Sequence, residues 1–328
     1  MAGSHEVRGS IPLGSTNTIP TPVAQTAGVR IGPPKGRCRV FTQALQVAGH
    51  FTFPYVGMRR RHDGVVFSTL ATFIVVNRDG WALTSAHVLE EISRAEASVR
   101  GVAGIDERID KARRAHERKQ VEDLKRGRAT SLSHHVEIWA VPGFAATQPR
   151  VVEYRVDKDA DLALVRLEPF DAGIITGLPL FRDSAEPVEP GMSVCRLGYP
   201  FHSVDAVFDE ERHSFDIQSG FPVPRFALEA IVSRFQAVRI EGRAAPATFI
   251  ETSSPGLRGQ SGGPLLDVSG RICGVQSHTA HLDLGFDASY ERDGERVVER
   301  QFLNIGRASH IDGVRAFLDE HGVSYESG

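Results

Sequence analysis

Three residues that lie far apart along the chain have the side-chain types that nucleophilic catalysis requires. Ser261 lies in GQSGGPLLD, His87 in LTSAHVL and Asp161 in DKDADLALVRL. A serine hydroxyl becomes a nucleophile when a base accepts its proton and a carboxylate fixes the tautomer of that base. The glycines around Ser261 fit either a turn with positive φ or close approach of another molecule to the main chain. Each segment alone has an ordinary structural explanation, but together they predict acyl transfer through Ser261.

The elements that must position these residues are mainly β-strands. Short apolar runs alternate with turn signals over most of the chain, which is typical of an all-β barrel or sandwich. One run, LATFIVVNRDGWALTSAHVL, predicts a hairpin that turns at Asp79-Gly80 and leads to His87. Another, LALVRL, predicts a strand directly after Asp161. We therefore expect a β scaffold that carries its chemistry at strand ends.

Two segments predict helices. SHIDGVRAFLDEHG has Ser309 and Asp312 at capping-box spacing, and Gly322 is its stop signal. Its apolar face, which we expect to dock on the β scaffold, consists of Ile311, Val314, Phe317 and Leu318. The charged segment 105–126 predicts an exposed helical insertion with a thin apolar stripe, formed by Ile109, Ala112, Val121 and Leu124.

Composition describes an ordinary globular protein. The 328 residues are 41% hydrophobic and 24% charged, with a formal net charge of -3. This balance gives no electrostatic reason to expect a nucleic-acid or membrane partner. The three cysteines are widely spaced and odd in number, which argues against a disulfide framework and fits a reducing compartment. With no apolar run of signal-peptide or membrane-spanning length, the expected location is cytoplasmic.

The three motifs occur in the order His, Asp, Ser, and they resemble those of trypsin-like (chymotrypsin-fold) serine proteases. The resemblance is closest to the bacterial HtrA-type branch without its PDZ domains. It covers residues 50–320, and the accessory segments LGYPF, AIVSR and GRICGVQSHT follow in the family's order. It implies an all-β fold of two six-stranded β-barrels, with a C-terminal helix and a helical insertion between the His and Asp motifs.

Composition and the resemblance together predict a domain division. Residues 1–37 are rich in Gly, Pro, Ser and Thr and are expected to form a flexible N-terminal tail before a protease domain at 38–328. Within this domain we expect the N-terminal barrel at about 38–170, its helical insertion at about 104–128, the C-terminal barrel at about 185–308 and the C-terminal helix at about 309–321.

The function implied by the resemblance is that of a serine endopeptidase acting on protein or peptide substrates without a cofactor. Ser261 is the nucleophile, His87 the general base and Asp161 the acid that orients it, while the backbone N–H groups of Gly259 and Ser261 form the oxyanion hole. Asp157 and Asp159 are rival acids. Asp161 is preferred because it stands immediately before the strand, as in the family.

The resemblance indicates the substrate pocket only in part. Its base falls near Pro255, which carries no charge, and its side lies along Ser277, His278 and Thr279. We therefore expect a small or medium apolar residue before the scissile bond. His278 either tunes the pocket or points away from it, and the sequence does not decide between these two roles.

One departure from the family bears on regulation. Gln260 replaces the aspartate with which digestive relatives capture a new amino terminus, so activation by amino-terminal cleavage is not expected. If activity is regulated, we expect loop ordering or an activating partner protein.

Three alternatives remain at this stage. The first is a catalytically silent protease fold that binds peptides or serves as a scaffold. The second is an esterase, which the all-β pattern and the chain order disfavour. The third is a metal site at Cys273, His278 and His281, disfavoured because a closed zinc site needs a fourth ligand.

Overall fold

The computed structural model describes residues 40–140, 149–243 and 245–328. Its first six strands form a closed antiparallel barrel in the order β1-β2-β3-β6-β5-β4, in which β4 pairs with β1. These strands are β1 (Thr52–Arg61), β2 (Val66–Val75), β3 (Trp81–Thr84), β4 (Leu132–Ala140), β5 (Arg150–Asp157) and β6 (Leu162–Glu168).

The second sheet also contains a ring of six strands. Its order is β13-β8-β11-β12-β15-β14, and an additional pairing of β13 with β14 closes the ring. The ring is formed by β8 (Ser193–Gly198), β11 (Phe226–Val238), β12 (Ala247–Thr252), β13 (Pro264–Leu266), β14 (Ile272–Arg292) and β15 (Glu295–His310). Outside it lie β7 (Leu180–Phe181), β9 (Asp205–Asp209), β10 (Ser214–Ser219) and β16 (Glu326–Ser327). The predicted pair of six-stranded barrels is confirmed.

The helical insertion between the His and Asp motifs is a pair of helices, not the single helix that the sequence predicted. The helix α2 (Glu90–Arg114) begins directly after the His87 segment, and α3 (Arg118–Thr130) follows a break at His116, which has φ of 61°. A single helix would leave the apolar stripe in water. The break instead lets Ile109 and Ala112 of α2 pack against Val121 of α3.

The other two helices lie at the ends of the described chain. The sequence did not predict α1 (Thr42–Ala48), which buries Ala44 and Ala48. The C-terminal helix α4 spans Ile311–Glu320, and its predicted apolar face is buried. Its cap is His310 rather than Ser309, because Nδ1 of His310 accepts the Asp312 amide at 3.2 Å.

The strands bring the three predicted residues to the ends of three different elements. His87 lies in a short 3₁₀ helix, Ala86–Leu89, directly after β3. The β2–β3 connection before it is wider than the predicted two-residue turn, and the Asn77 side chain accepts the amides of Asp79 and Trp81 within it. Asp161 immediately precedes β6, and the Ser261 loop precedes β13.

The largest apolar cluster holds the two barrels together. It combines Ile74 and Leu164 of the first barrel with Leu265 and Val275 of the second, and it includes the buried face of α4. A separate cluster that includes Tyr55 and Phe73 fills the first barrel. Because burial of side chains of this size is the main source of stability, the junction between the barrels is a packed core on which a site can be held rigidly.

Candidate active site

Asp161 holds both the main chain and the ring of His87. Its Oδ1 accepts the His87 backbone N–H at 3.0 Å, and its Oδ2 lies 2.9 Å from Nδ1 of the imidazole. The carboxylate is mostly buried, whereas the histidine side chain is 40% exposed. A carboxylate accepts hydrogen bonds only, so Nδ1 carries the proton and Nε2 is left as the basic nitrogen.

The contact between His87 and Asp161 shifts both pKa values. Burial lowers the pKa of His87, but the hydrogen bond and negative charge of Asp161 outweigh burial, so the pKa of His87 is raised. Burial raises the pKa of Asp161, but hydrogen bonds from His87 and Ser277 outweigh it, so the pKa of Asp161 is lowered. The aspartate is therefore ionised at neutral pH, and the imidazole is poised to accept a proton and be stabilised as the cation.

The two rival acids, Asp157 and Asp159, contact different groups from those that Asp161 contacts. Asp157 accepts the amides of Asp159 and Ala160 and forms an ion pair with Arg243, with 2.8 Å between Oδ2 and Nη2. Asp159 lines the cleft beside His87, but its amide is part of the Asp157 turn. Of the three carboxylates in this loop, Asp161 is the one that the structure hydrogen-bonds to the His87 ring.

The loop that carries Ser261 is fastened to the opposite barrel by one residue of β2. The Thr72 amide donates to the Ser261 carbonyl at 2.9 Å. The Thr72 hydroxyl donates to the Gly259 carbonyl at 2.8 Å, and this side chain is fully buried. Thr72 therefore fixes the main-chain direction on both sides of Gln260.

Two glycines of the loop are required by close packing. Gly262 has φ of 81°, and a Cβ there would lie 2.1 Å from Oγ1 of Thr84 and 2.3 Å from the Thr72 carbonyl. Gly259 has φ of 99°, and a Cβ there would lie 2.4 Å from the Tyr199 carbonyl. Both torsions are strained for residues with a side chain, and neither Cβ has space. The glycines thus let the serine loop lie between three strands.

Main-chain N–H groups of this loop are available to donate hydrogen bonds to a negatively charged oxygen. The amides of Gln260, Gly262 and Gly263 donate to protein carbonyls. Among the described residues, the amides of Gly259 and Ser261 have no such acceptor. These are the two donors that the sequence assigned to an oxyanion hole.

His87 and Ser261 line the same depression. Its volume is about 250 Å³, and Tyr55, Leu70 and Arg258 are among the other residues of its wall. In the described structure the Ser261 hydroxyl donates to the Ser277 carbonyl at 3.3 Å. A second depression of about 440 Å³ adjoins the other side of His87 and is lined by Tyr154, Phe249 and His278, among others.

The three predicted pocket residues of β14 each form a hydrogen bond with a different partner. Ser277 donates its hydroxyl to Asp161, and Nδ1 of His278 donates to the Ser277 oxygen at 2.8 Å. The pKa of His278 is lowered, first by burial and then by the charge of Arg307. His278 is thus neutral and lines the depression beside His87. The Thr279 hydroxyl donates to the Gly256 carbonyl at 2.7 Å, one residue after Pro255.

Sequence reasoning missed two buried polar residues, one on β14 itself and one on the neighbouring strand β8. Gln276, which directly precedes Ser277, is 1% exposed, and Arg196 of β8 is fully buried. Nε of Arg196 donates to Oε1 of Gln276. An arginine in the otherwise apolar strand SVCRLG was the available signal, because a charged residue is almost never fully buried without a specific reason.

The alternative metal site is not assembled in the described part of the chain. His281 contacts Oδ1 of Asn304 at 2.6 Å, whereas Cys273 is buried beside the Arg271 carbonyl. Across residues 40–140, 149–243 and 245–328, no group of three or more candidate ligands is placed to bind a metal ion. Within the same residues, every helix is too short or too polar to cross a membrane.

Two closed six-stranded β-barrels packed against one another are the architecture of chymotrypsin-like proteases. The family model described as "Trypsin-like peptidase domain" matches residues 71–275, and the chain belongs to that family. No curated protein matches the chain significantly. Among solved structures, the chain is similar to the active form of the Rv3671c protease from M. tuberculosis. That match has 14% identity, a TM-score of 0.47, and coverage of 95% of this chain and 97% of the other.

Proposed function

We propose that this protein is a serine endopeptidase in which Ser261, His87 and Asp161 form a catalytic triad. The observation that carries the proposal is the fixation of His87 by Asp161 through both its amide and its ring, at the rim of the depression that contains Ser261. A histidine held in this tautomer presents Nε2 to a neighbouring hydroxyl, which is the requirement for activating a serine.

The proposed reaction has two steps. The Ser261 oxygen attacks the peptide carbonyl as His87 takes the hydroxyl proton, and the oxyanion is held by the amides of Gly259 and Ser261. The C–N bond then breaks as His87 gives that proton to the leaving amine. In the second step, a water molecule attacks the acyl-enzyme by the same route and releases the carboxylic acid.

Gln260 bears on how this activity is controlled. Its side chain is fully buried and its Oε1 accepts the Leu257 amide at 3.0 Å. A neutral amide cannot form an ion pair with an amino terminus, which supports the proposal that amino-terminal cleavage does not activate the enzyme. If the activity is regulated, ordering of the 254–260 loop, alone or through a partner protein, is the proposed means.

The compartment is a second part of the proposal. Cys195 and Cys273 are free and buried. Burial raises the pKa of Cys195 to about 11 and that of Cys273 to about 12, so both are uncharged thiols at neutral pH. Free thiols of this kind fit a cytoplasmic enzyme in a reducing compartment.

Covalent labelling with a fluorophosphonate tests the function. We expect stoichiometric labelling at Ser261 and loss of both labelling and peptide hydrolysis in Ser261→Ala, with a rate loss of about 10⁴–10⁶. Ser269→Ala, a change to an exposed serine in the turn before β14, is the matched control and should label normally. Absence of labelling under all conditions, including candidate activators, would favour the catalytically silent scaffold instead.

A further inference from the structure

Two buried side chains behind the nucleophile carry N–H groups that have no acceptor in the described protein. They are Nη2 of Arg196 and Nε2 of Gln276. Their residues are 0% and 1% exposed, so water does not surround either side chain. A buried donor without a partner is costly and uncommon in native structures, and each such group requires an explanation.

The orientation of both groups is fixed by their neighbours. Arg196 donates through Nε to Oε1 of Gln276, and through Nη1 to the Ser254 hydroxyl at 2.7 Å. Because a guanidinium has donors only, the amide of Gln276 must turn its oxygen toward Arg196 and its NH₂ group away from it. That NH₂ group faces Gly256, where a Cβ would lie 2.4 Å from Nε2.

These donors lie where three segments converge beside Ser261. Gly306 of β15 leaves space for the guanidinium, since a Cβ there would lie 2.1 Å from Nη2 of Arg196. Gly256 precedes the nucleophile loop, and Thr279 donates across to the Gly256 carbonyl at 2.7 Å. The Ser261 hydroxyl itself contacts the Ser277 carbonyl on the same strand as Gln276.

The cluster carries an excess positive charge. Among the described residues, no carboxylate lies within ion-pair distance of Arg196. Burial lowers the pKa of Arg196 to about 10, and the side chain is still protonated at neutral pH. The nearby buried carboxylate, Glu251, is already paired with Arg234 and Arg307. A buried cation of this kind is stabilised by an acceptor that carries negative charge.

We propose that Gln276, Thr279 and Arg196 form the base of the pocket for the residue before the scissile bond, and that they select an acidic side chain. This inference rests on the proposed endopeptidase function. The substrate carboxylate accepts from the Gln276 NH₂ group and from the Thr279 hydroxyl, which turns away from Gly256 as the segment 254–258 moves outward. Arg196 supplies the positive charge behind the amide.

This assignment differs from the sequence-based expectation of a small or medium apolar residue. That expectation rested on the uncharged Pro255 at the pocket base and included neither Gln276 of β14 nor Arg196 of β8, which carry the unpaired donors. A lysine or arginine side chain brings further donors and no acceptor, so it leaves all of these groups unpaired. An apolar side chain leaves them unpaired as well.

Hydrolysis of matched peptides tests the proposal. Substrates that differ only in Glu, Asp, Gln, Leu or Lys before the scissile bond should show kcat/KM for Glu about 10- to 100-fold above that for Gln, its uncharged isostere. Gln276→Glu places a carboxylate beside the Arg196 guanidinium. It should abolish or invert the ratio of kcat/KM for the Glu substrate to that for the Gln substrate. Asp287→Asn, an exposed charge change further along β14, should leave the ratio unchanged. Equal rates for Glu and Gln would overturn the assignment.

A binding measurement separates this proposal from the proposed catalytic mechanism. Ser261→Ala is titrated with product-like peptides that end in Glu or Gln, which requires no turnover. Binding of the Glu peptide at least about 10-fold more tightly supports an acidic pocket even if Ser261 fails to react with fluorophosphonate. Normal labelling of Ser261 together with equal binding, or no binding of either peptide, rejects the acidic pocket and leaves the proposed endopeptidase intact.

Discussion

Replacing Asp161 by asparagine tests the central geometry. The carboxylate has two oxygens and accepts three donors: the His87 amide, Nδ1 of His87 and the Ser277 hydroxyl. Asparagine keeps one oxygen, which can retain the amide contact at 3.0 Å. Its NH₂ group then faces Nδ1 and favours the tautomer with the proton on Nε2, which cannot accept the serine proton.

The expected loss follows from that wrong tautomer. A change of this type in a serine triad lowers kcat by about 10⁴, which corresponds to about 5.4 kcal/mol of transition-state stabilisation. The change should also lower the pKa of His87, because burial then acts without the opposing charge of Asp161. Peptide hydrolysis measured from pH 5 to 10 would report both effects.

Asp159→Asn is the matched control, because Asp159 lies in the same loop and lines the depression beside His87. It should retain nearly full activity and an unchanged pH profile. A fall in kcat smaller than about 10-fold in Asp161→Asn would refute the assignment of the acid. A fall in Asp159→Asn that exceeds the fall in Asp161→Asn would refute it as well.

Three further outcomes are expected. In the wild type, kcat/KM should fall as pH drops through a His87 pKa above 6.5, because the protonated imidazole cannot accept the serine proton; a midpoint below 6.5 would contradict the raised pKa. Thr72→Val removes the hydrogen bond from the hydroxyl to the Gly259 carbonyl but keeps the one from the backbone N–H to the Ser261 carbonyl. Urea denaturation should show a loss of about 1–2 kcal/mol of unfolding free energy, and peptide hydrolysis should fall further than that loss explains. Unchanged kcat/KM would show that this hydrogen bond does not position the loop. Gly262→Ala should cost at least about 2 kcal/mol of unfolding free energy, whereas Gly313→Ala in α4, where a Cβ meets open space, should stabilise by about 0.5–1 kcal/mol; equal effects would argue against the packing explanation.

The sequence pointed to the three candidate triad residues because each lies in a short segment with its own local signal. Ser261 is surrounded by glycines, and Asp161 stands directly before an alternating strand. It did not predict Arg196 as part of a pocket, since nothing nearby in the chain identifies Gln276 as its partner, 80 residues away. Such a contact is created by strand pairing between β8, β13 and β14.

The errors in the helix predictions also arise from contacts between residues that are far apart in the chain. Ser309 has the residue type and spacing of a helix cap, yet its hydroxyl donates to the Ala160 carbonyl from the loop before Asp161. The cap therefore passes to His310. The insertion was predicted to be exposed, yet its apolar stripe is buried between two helices. The periodicity of a stripe does not tell whether water, the protein body or a second helix covers it.

The attachment of the Ser261 loop to Thr72 has a consequence for how the two barrels are coupled. The proposed nucleophile, Ser261, lies on one barrel, but its loop is anchored by a strand of the other barrel, which also carries His87 and Asp161. Because the loop is bonded to both barrels, a tilt between them would have to break the two Thr72 hydrogen bonds or deform the loop that carries Ser261.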